Sequence, residues 1–380
     1  MLWLASACAG LAALLALGTV AWQTPWLGFV GSVGGHVPGW MVVVAALGAA
    51  TGVMAWTHDH SVGSMGATAV SSLAGVAGAK VLADQVRALR QLGVRASWGD
   101  FFGPLRGVAL GPDAVVTLGP VGSFTPRVGV FGPPGMQTPR GVVVHIHGGG
   151  WAGGNEASDV VHVRQLAARG FLVFTPTYAL AAPGAPTWEL APRHIAHALV
   201  AVRRIAPAYG GIADEVFLSG SSAGAHLALL VANRVAIGDT FELSNVSMPT
   251  IGAVAVTVPA IDPAAGQENQ FVPGGAIGRR MIDAFVGGSV TEVPERHAAV
   301  DAAAHVTSAS PPALLVYGPC DWIAPSLGVA MYALRCRQHG VEVRDVPIPW
   351  TGHLVKMSGA ATRAGVELTS SWFQAHTRGS

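Results

Sequence analysis

Long apolar runs without charge occupy the first quarter of the chain. Residues 1–22 hold no charged side chain, and residues 37–56 repeat the pattern with tryptophans near both ends. At about 1.5 Å per residue, each run is long enough for a helix that crosses a hydrocarbon core of ~30 Å. A third run, residues 64–83, is richer in Gly, Ala and Ser and gains its first charge at Lys80. That composition suits a spanning, an interfacial or a simply packed helix.

The pattern changes near residue 110, where short β-branched runs begin to alternate with longer helical stretches. This alternation is typical of a mostly parallel sheet with helices on both faces. The predicted strands are residues 114–118, 127–131, 142–146, 172–175, 215–219, 253–258, 313–317 and 341–347. We therefore expect an N-terminal membrane region at 1–92 with two or three transmembrane helices, a linker at 93–109 and an α/β domain at 110–380.

Composition agrees with a chain that lies partly in lipid. Hydrophobic residues make up 51% of the chain and charged residues only 11%, against about 25% charged residues in ordinary soluble domains. The net charge is +1 and no long basic run occurs. Because binding to a phosphate backbone requires clustered Lys and Arg, nucleic acid is excluded as an expected partner.

The distribution of basic residues predicts the orientation of the membrane region. The loop between the first two apolar runs has no Lys or Arg, whereas five basic residues follow the last run: Lys80, Arg87, Arg90, Arg95 and Arg106. The positive-inside rule then predicts that the C-terminal domain lies in the cytoplasm. A cleaved signal peptide is disfavoured, because no basic segment precedes Leu2.

The three cysteines do not form a pattern of known chemistry. Cys8 lies in the first apolar run, and Cys320 and Cys336 are irregularly spaced. Neither a disulfide framework nor a zinc site follows from this spacing. A pair between Cys320 and Cys336 is an alternative, but two reduced, packed thiols are the preferred interpretation.

A candidate nucleophile lies in the segment EVFLSGSSAGAHLALL, in which a predicted strand runs through GSSAG into an apolar helix. Ser222 is the central residue of this GxSxG motif in its required strand-to-helix context. Flanking glycines let the strand and helix approach closely, and the backbone N–H of Ala223 faces the place where an oxyanion would form. Ser221 is the neighbouring serine and the less favoured nucleophile.

A second motif, VVVHIHGGGWAGG, ends an apolar strand in a glycine turn. The backbone N–H groups of Gly148 and Gly149 are free of side-chain hindrance, which suits an oxyanion hole together with Ala223. A phosphate-binding loop would require the Lys-Ser or Lys-Thr pair of a P-loop or Rossmann spacing, and neither is present.

Two further residues follow predicted strands late in the chain. Asp321 lies in the loop after residues 313–317, and His353 lies in the loop after residues 341–347. The order Ser222, Asp321, His353, each at the carboxyl end of a strand, is the order of α/β-hydrolase triads. Asp262 and Asp301 are alternative candidates for the acid.

These motifs resemble those of α/β-hydrolase esterases and lipases, near the hormone-sensitive-lipase and feruloyl-esterase-like branches, over residues 110–375. The sequence GSSAGAHLA is more similar to the feruloyl-esterase, kynurenine-formamidase and prenylcysteine-methylesterase side than to GDSAGG. The resemblance implies an eight-stranded α/β-hydrolase fold, a serine carboxylic-ester hydrolase and a small cap, for which residues 259–305 are the candidate segment.

The expected reaction uses an acyl-enzyme intermediate and requires no metal or organic cofactor. The expected substrate is a small-molecule or lipid-like ester, and the N-terminal helices are expected to contact membrane lipid. Three tryptophans flank the motif loops as possible pocket residues: Trp151, Trp322 and Trp350. Alternatives are an amide-cleaving hydrolase of the formamidase or peptidase type, and a non-catalytic membrane-bound binding protein on the same fold.

Histidines outside the proposed triad are interpreted as structural. His145 and His226 lie beside the two motifs and are expected to be packed and hydrogen-bonded. The pair His58 and His60 follows an apolar run and is expected at a helix end near the membrane surface, without a metal.

Overall fold

The computed structural model describes residues 1–105, 111–136 and 138–377. Arg106, counted above among the basic residues, and the predicted boundary between 109 and 110 lie outside them. The strands are β1 (Ala114–Thr117), β2 (Arg127–Phe131), β3 (Val142–Ile146), β4 (Leu172–Pro176), β5 (Glu215–Ser221), β6 (Thr250–Thr257), β7 (Ala313–Tyr317) and β8 (Val343–Pro347).

The helices alternate with these strands after a purely helical N-terminal part. They are α1 (Leu2–Val20), α2 (Leu27–His36), α3 (Pro38–Asp59), α4 (Val62–Gln91), α5 (Val160–Ala167), α6 (Leu190–Ile205), α7 (Ala223–Ala236), α8 (Pro263–Gln267), α9 (Gly274–Val286), α10 (Pro294–Val300), α11 (Leu327–Gln338) and α12 (Gly359–His376). Helices α8, α9 and α10 lie within residues 259–305, the segment expected to form a cap.

The eight strands form one sheet in the order β1-β2-β4-β3-β5-β6-β7-β8. Strands β1, β2 and β4 pair antiparallel, and the pairs from β4 through β3 to β8 are parallel. This is the mostly parallel, eight-stranded α/β-hydrolase sheet that the sequence predicts. The carboxyl ends of the parallel strands therefore meet along one edge, which is where such sheets place their sites.

Alternating side chains of the central strands supply both faces of the core. In β3, Val142 and Val144 join a cluster with α6, α7 and α11, whereas Val143 joins a second cluster with α5 and α12. The continuous apolar sequence of β3 follows from this, since a strand covered on both faces buries every side chain. Leu89 at the end of α4 belongs to the second cluster, so the last turns of α4 pack into the core of the sheet, whereas α1 and α3 bury residues in clusters of their own.

Within the described residues, helices α1, α3 and α4 are long and apolar enough to cross a membrane. The third apolar run, left open by its composition, is therefore part of a candidate span. Small residues face inward in this bundle, as Ala5, Ala9, Ala12 and Ala16 of α1 are buried, while its leucines are largely exposed. Small residues between helices and large apolar residues outside are typical of membrane helix packing.

The segment between the first two apolar runs lies against the C-terminal domain, and this contact bears on the number of membrane spans. The backbone N–H of Trp26 donates to the carbonyl of Val272 (3.1 Å), and the Trp22 ring stacks on Phe271. With two spans, this loop would lie across the membrane from the domain; with three, both lie on the same side. With three spans, the loop across the membrane from the domain would be the α3–α4 connection around His60, which also has no Lys or Arg.

Candidate active site

Ser222 lies at a sharp turn between β5 and α7, with φ of 54° in the left-handed region. This conformation is costly for a residue with a side chain, and neighbouring bonds maintain it. The N–H of Ser222 donates to the carbonyl of Thr257 (3.0 Å). A Cβ at Gly224 would lie 2.1 Å from the carbonyl oxygen of Ile146, so only glycine permits this close approach of α7 to β3.

Ser222, His353 and Asp321 form a continuous hydrogen-bonded chain. The Oγ of Ser222 lies 2.7 Å from Nε2 of His353, and Nδ1 of His353 lies 2.7 Å from Oδ2 of Asp321. Because a carboxylate only accepts, Nδ1 carries the proton and Nε2 is left to accept from the serine hydroxyl. Such a chain can remove the hydroxyl proton as the oxygen attacks an acyl carbon.

Asp321 is fixed by its own loop. Its side chain is 3% exposed, and Oδ1 accepts the backbone N–H groups of Ile323 (2.9 Å) and Ala324 (2.8 Å). The alternative acids make other contacts: Asp262 caps α8 through the N–H of Ala265, and Asp301 accepts the N–H of Ala303. Of the three carboxylates, the structure brings Asp321 to the histidine.

The glycine turn after β3 lies directly against the nucleophile. A Cβ at Gly148 would lie 3.3 Å from Cβ of Ser222 and 2.8 Å from the carbonyl oxygen of Ser221. Gly149 has φ of 125°, and Ala223 is the first residue of α7, where backbone N–H groups have no acceptor within the helix. Two of the three predicted donors, Gly148 and Ala223, therefore adjoin Ser222.

The neighbouring aromatic and histidine side chains hold this turn. Nε1 of Trp151 donates to Nδ1 of His226 (3.2 Å), and Nε2 of His226 donates to the carbonyl of Val300 (2.6 Å). His226 is fully buried, and burial lowers its pKa to about 4, so the imidazole is neutral at pH 7. The Tyr178 hydroxyl donates to the carbonyl of His147 (3.0 Å).

A buried polar cluster behind the nucleophile was not predicted from the sequence. Oδ2 of Asp159 accepts from Nε2 of His145 (3.1 Å) and from the hydroxyl of Ser221 (3.0 Å), and its other oxygen pairs with Lys356. Burial opposes ionisation of Asp159, but His145 and Lys356 hold the pKa of its carboxyl well below the usual range. Ser221 is thus engaged in a structural bond. No sequence motif connects Asp159 with residues so distant in the chain.

A cavity of about 240 Å³ lies between α8, α9, the loop after β6 and the loop that follows Asp321. Its wall is mostly apolar and includes Trp151, Ala260, Ile282 and Ile323, together with the carboxylate of Asp262. One wall residue, Ala260, donates its backbone N–H to the carbonyl of Ser222 (3.4 Å), whereas Ser222 itself is not among the residues that line the cavity.

The other two tryptophans proposed for the pocket face elsewhere. Trp322 is buried and contacts Phe29 edge-on at 4.8 Å between ring centroids. Trp350 donates to Asp84 in α4 (3.0 Å). The structure thus associates Trp151 with the cavity, and Trp322 and Trp350 with the N-terminal helices.

Comparison with known families agrees with this geometry. The sequence profile of the BD-FAE family matches residues 128–328, more than half of the chain. The chain belongs to the BD-FAE family. BD-FAE proteins are esterases of the α/β-hydrolase fold, and the matched segment includes Ser222 and Asp321 but ends before His353. No curated protein matches the chain.

Solved structures similar to this BD-FAE member include esterase 2 (Est2) of the planctomycete Thermogutta terrifontis. The native thermophilic esterase has 19% identity and a TM-score of 0.56, covering 71% of this chain and 94% of that one. Its butyrate-bound form has 19% identity and a TM-score of 0.55, covering 70% of this chain and 94% of that one. The form phosphorylated by paraoxon has 18% identity and a TM-score of 0.54, covering 68% of this chain and 92% of that one. At this identity the likeness establishes a shared fold.

Proposed function

We propose that this BD-FAE member is a membrane-anchored serine carboxylic-ester hydrolase with Ser222 as its nucleophile. The observation that carries the proposal is the hydrogen-bonded chain from Ser222 through His353 to Asp321, with 2.7 Å at each link. Membership of an esterase family gives independent support.

In the proposed reaction, the Oγ of Ser222 attacks the ester carbonyl while His353 takes its proton. Asp321 keeps the imidazole oriented and stabilises its charged form. The N–H groups of Gly148, Gly149 and Ala223 stabilise the oxyanion of the tetrahedral intermediate. His353 then gives the proton to the departing alcohol, and the acyl group stays on the serine.

Hydrolysis of the acyl-enzyme repeats these steps with water. His353 removes a proton from water, the hydroxide attacks the acyl carbon, and the proton returns to Ser222 as the carboxylic acid leaves. Every proton moves between groups of the triad, the substrate and water. The chain's own residues therefore account for the reaction without a further group.

The cavity beside Trp151 supports a substrate with a short acyl or alcohol part. A volume of about 240 Å³ is small against the 300–1,000 Å³ that are typical of pockets for drug-sized ligands. The structure of Est2 with butyrate bound points in the same direction. Nitrophenyl butyrate is accordingly the substrate of choice for a first assay.

The proposed arrangement is a membrane region at 1–92, a linker at 93–109 and a catalytic domain at 110–380 with a cap around 259–305. With three spans, the α3–α4 connection lies across the membrane from the catalytic domain, which we assign to the cytoplasm. An impermeant maleimide should label His60→Cys in intact cells and Ala309→Cys, an exposed catalytic-domain position, only after permeabilisation. The reverse pattern would overturn this orientation.

The catalytic assignment is tested with detergent-solubilised full-length protein and Ser222→Ala. A fluorophosphonate probe should label the native protein, which should also hydrolyse nitrophenyl butyrate, and both signals should vanish in the variant. The neighbouring Ser221→Ala keeps the nucleophile and serves as a matched control, which should retain labelling. Faster turnover of a matched anilide than of the ester would favour an amidase instead.

A further inference from the structure

The loop that carries His353 is held by residues of the N-terminal helices. Three bonds join them: Gln85 Nε2 in α4 donates to the carbonyl of Pro349 (3.1 Å), Trp350 donates to Asp84 (3.0 Å), and Gly352 donates to His36 (3.2 Å). A catalytic loop of the sheet domain is thus fixed by a part of the chain more than 250 residues away in sequence.

His36 makes the contact nearest to the triad. It ends α2, is fully buried, and accepts the backbone N–H of Gly352, the residue immediately before His353. Its Nδ1 lies 2.5 Å from the carbonyl of Ser32, so Nδ1 carries the proton and Nε2 has a free lone pair. Burial lowers the pKa of His36, which keeps the imidazole neutral and able to accept this bond.

The backbone around this bond leaves little room for adjustment. Trp350 has φ of 64°, a strained value for a non-glycine residue. A Cβ at Gly35 would lie 1.8 Å from the carbonyl oxygen of Trp350, so α2 packs backbone to backbone against the histidine loop. On the other side, the N–H of Cys320 donates to the carbonyl of Thr351 (2.9 Å). The loop is therefore clamped between α2 and the loop that supplies Asp321.

We propose that His36 is a positioning residue of the esterase, which sets the place of His353 through the N–H of Gly352. The N-terminal region then completes the catalytic machinery and is more than an anchor. This inference rests on the proposed triad. A displacement of catalytic groups by about 1 Å can lower a rate about 10²-fold, so loss of this bond should affect the chemical step more than substrate binding.

Three substitutions separate positioning from packing. His36→Leu has a similar volume and no acceptor. In His36→Gln, the carboxamide reaches the place of Nε2 and can accept from Gly352, whereas in His36→Asn it reaches only the place of Nδ1. A matched control is His297→Leu, which removes a buried histidine in α10 that bonds the carbonyl of Gly288 (3.1 Å).

The test uses full-length protein in detergent and follows kcat and KM for nitrophenyl butyrate, the rate of fluorophosphonate labelling, and Tm. We expect His36→Leu and His36→Asn to lower kcat and the labelling rate by about 10- to 100-fold with KM nearly unchanged. His36→Gln should recover to within about threefold. His297→Leu should lower Tm and leave kcat unchanged.

The outcomes distinguish the two proposals. If Ser222→Ala is inactive while His36→Asn and His36→Gln have equal kcat, the positioning role is wrong and the triad stands. This comparison holds even if His36→Leu fails to fold, because both other variants keep a polar side chain. If the native protein shows neither labelling nor turnover, the proposed function itself fails.

Discussion

Replacement of Asp321 by asparagine tests the tautomer argument at the centre of the proposed mechanism. In the native protein, Oδ1 of Asp321 accepts two backbone N–H groups, from Ile323 and Ala324, and Oδ2 faces Nδ1 of His353. In Asp321→Asn, the amide oxygen should keep the two backbone bonds, which turns the NH₂ group toward the histidine. His353 must then accept at Nδ1 and carry its proton on Nε2, where it cannot receive one from Ser222.

The magnitude follows from the cost of the opposite amide orientation. Turning the amide would face its NH₂ group with two buried backbone N–H groups, and each unsatisfied group costs about 1–3 kcal/mol. Even 2 kcal/mol leaves only about one molecule in 30 with the active tautomer. The lost carboxylate charge also no longer stabilises the imidazolium, and the equivalent change in a serine protease lowers kcat about 10⁴-fold. We expect kcat to fall by about 10³- to 10⁴-fold.

The assay is hydrolysis of nitrophenyl butyrate together with the rate of fluorophosphonate labelling, with Tm as a check of folding. A matched control is Asp301→Asn, which alters another carboxylate considered for this role and lies outside the cavity lining. This control should retain kcat within about threefold, since it removes no contact to His353. An Asp321→Asn variant that keeps a tenth of the native kcat would refute the tautomer argument. A control whose kcat falls as far as that of Asp321→Asn would refute it as well.

Three further predictions follow from buried contacts around the site. Gly148→Ala should lower kcat at least tenfold with KM nearly unchanged. The new Cβ would lie 2.8 Å from the carbonyl oxygen of Ser221 and would shift an oxyanion donor. A variant with native kcat would exclude the proposed role of Gly148 in the oxyanion hole. Burial lowers the pKa of His226 from 6.5 to about 4; the unfolded chain binds the extra proton between these values, so stability falls as pH drops through this window. In urea unfolding, His226→Gln should reduce the acid-induced loss in the free energy of unfolding by about 3 kcal/mol. An unchanged dependence of that free energy on pH would contradict this prediction. Asp159→Ala should lower the free energy of unfolding by about 3 kcal/mol, as it strands His145 and Ser221, measured by the same method.

The sheet and the motif residues were largely predictable because short-range patterns specify them. Local sequence is enough to predict the β-branched run of β3 and the turn from β5 into α7. The observed strand ends differ from the predicted ones by only a few residues; β6, for example, was predicted at 253–258 and lies at Thr250–Thr257. Ser222, Asp321 and His353 each follow a strand, so the topology alone brings them to one edge. The bonds between them depend on loop conformations that no local pattern specifies.

The contacts of the N-terminal region were not predictable in this way. Helix α2 is only ten residues long and rich in glycine, so no amphipathic pattern distinguishes it from a loop. His36 is an isolated histidine in sequence, and only the fold brings it to Gly352. The third candidate span was ambiguous because glycine and serine make α4 less apolar than α1. Those same small residues permit close helix packing.

The most direct test of the account is the identity of the residue that a fluorophosphonate modifies in the full-length protein. Peptide mapping by mass spectrometry after labelling should find the phosphonyl adduct on Ser222, with loss of ester hydrolysis in proportion to the labelled fraction. An adduct on another residue, or full hydrolysis by the fully labelled protein, would contradict the assignment of Ser222 as the nucleophile.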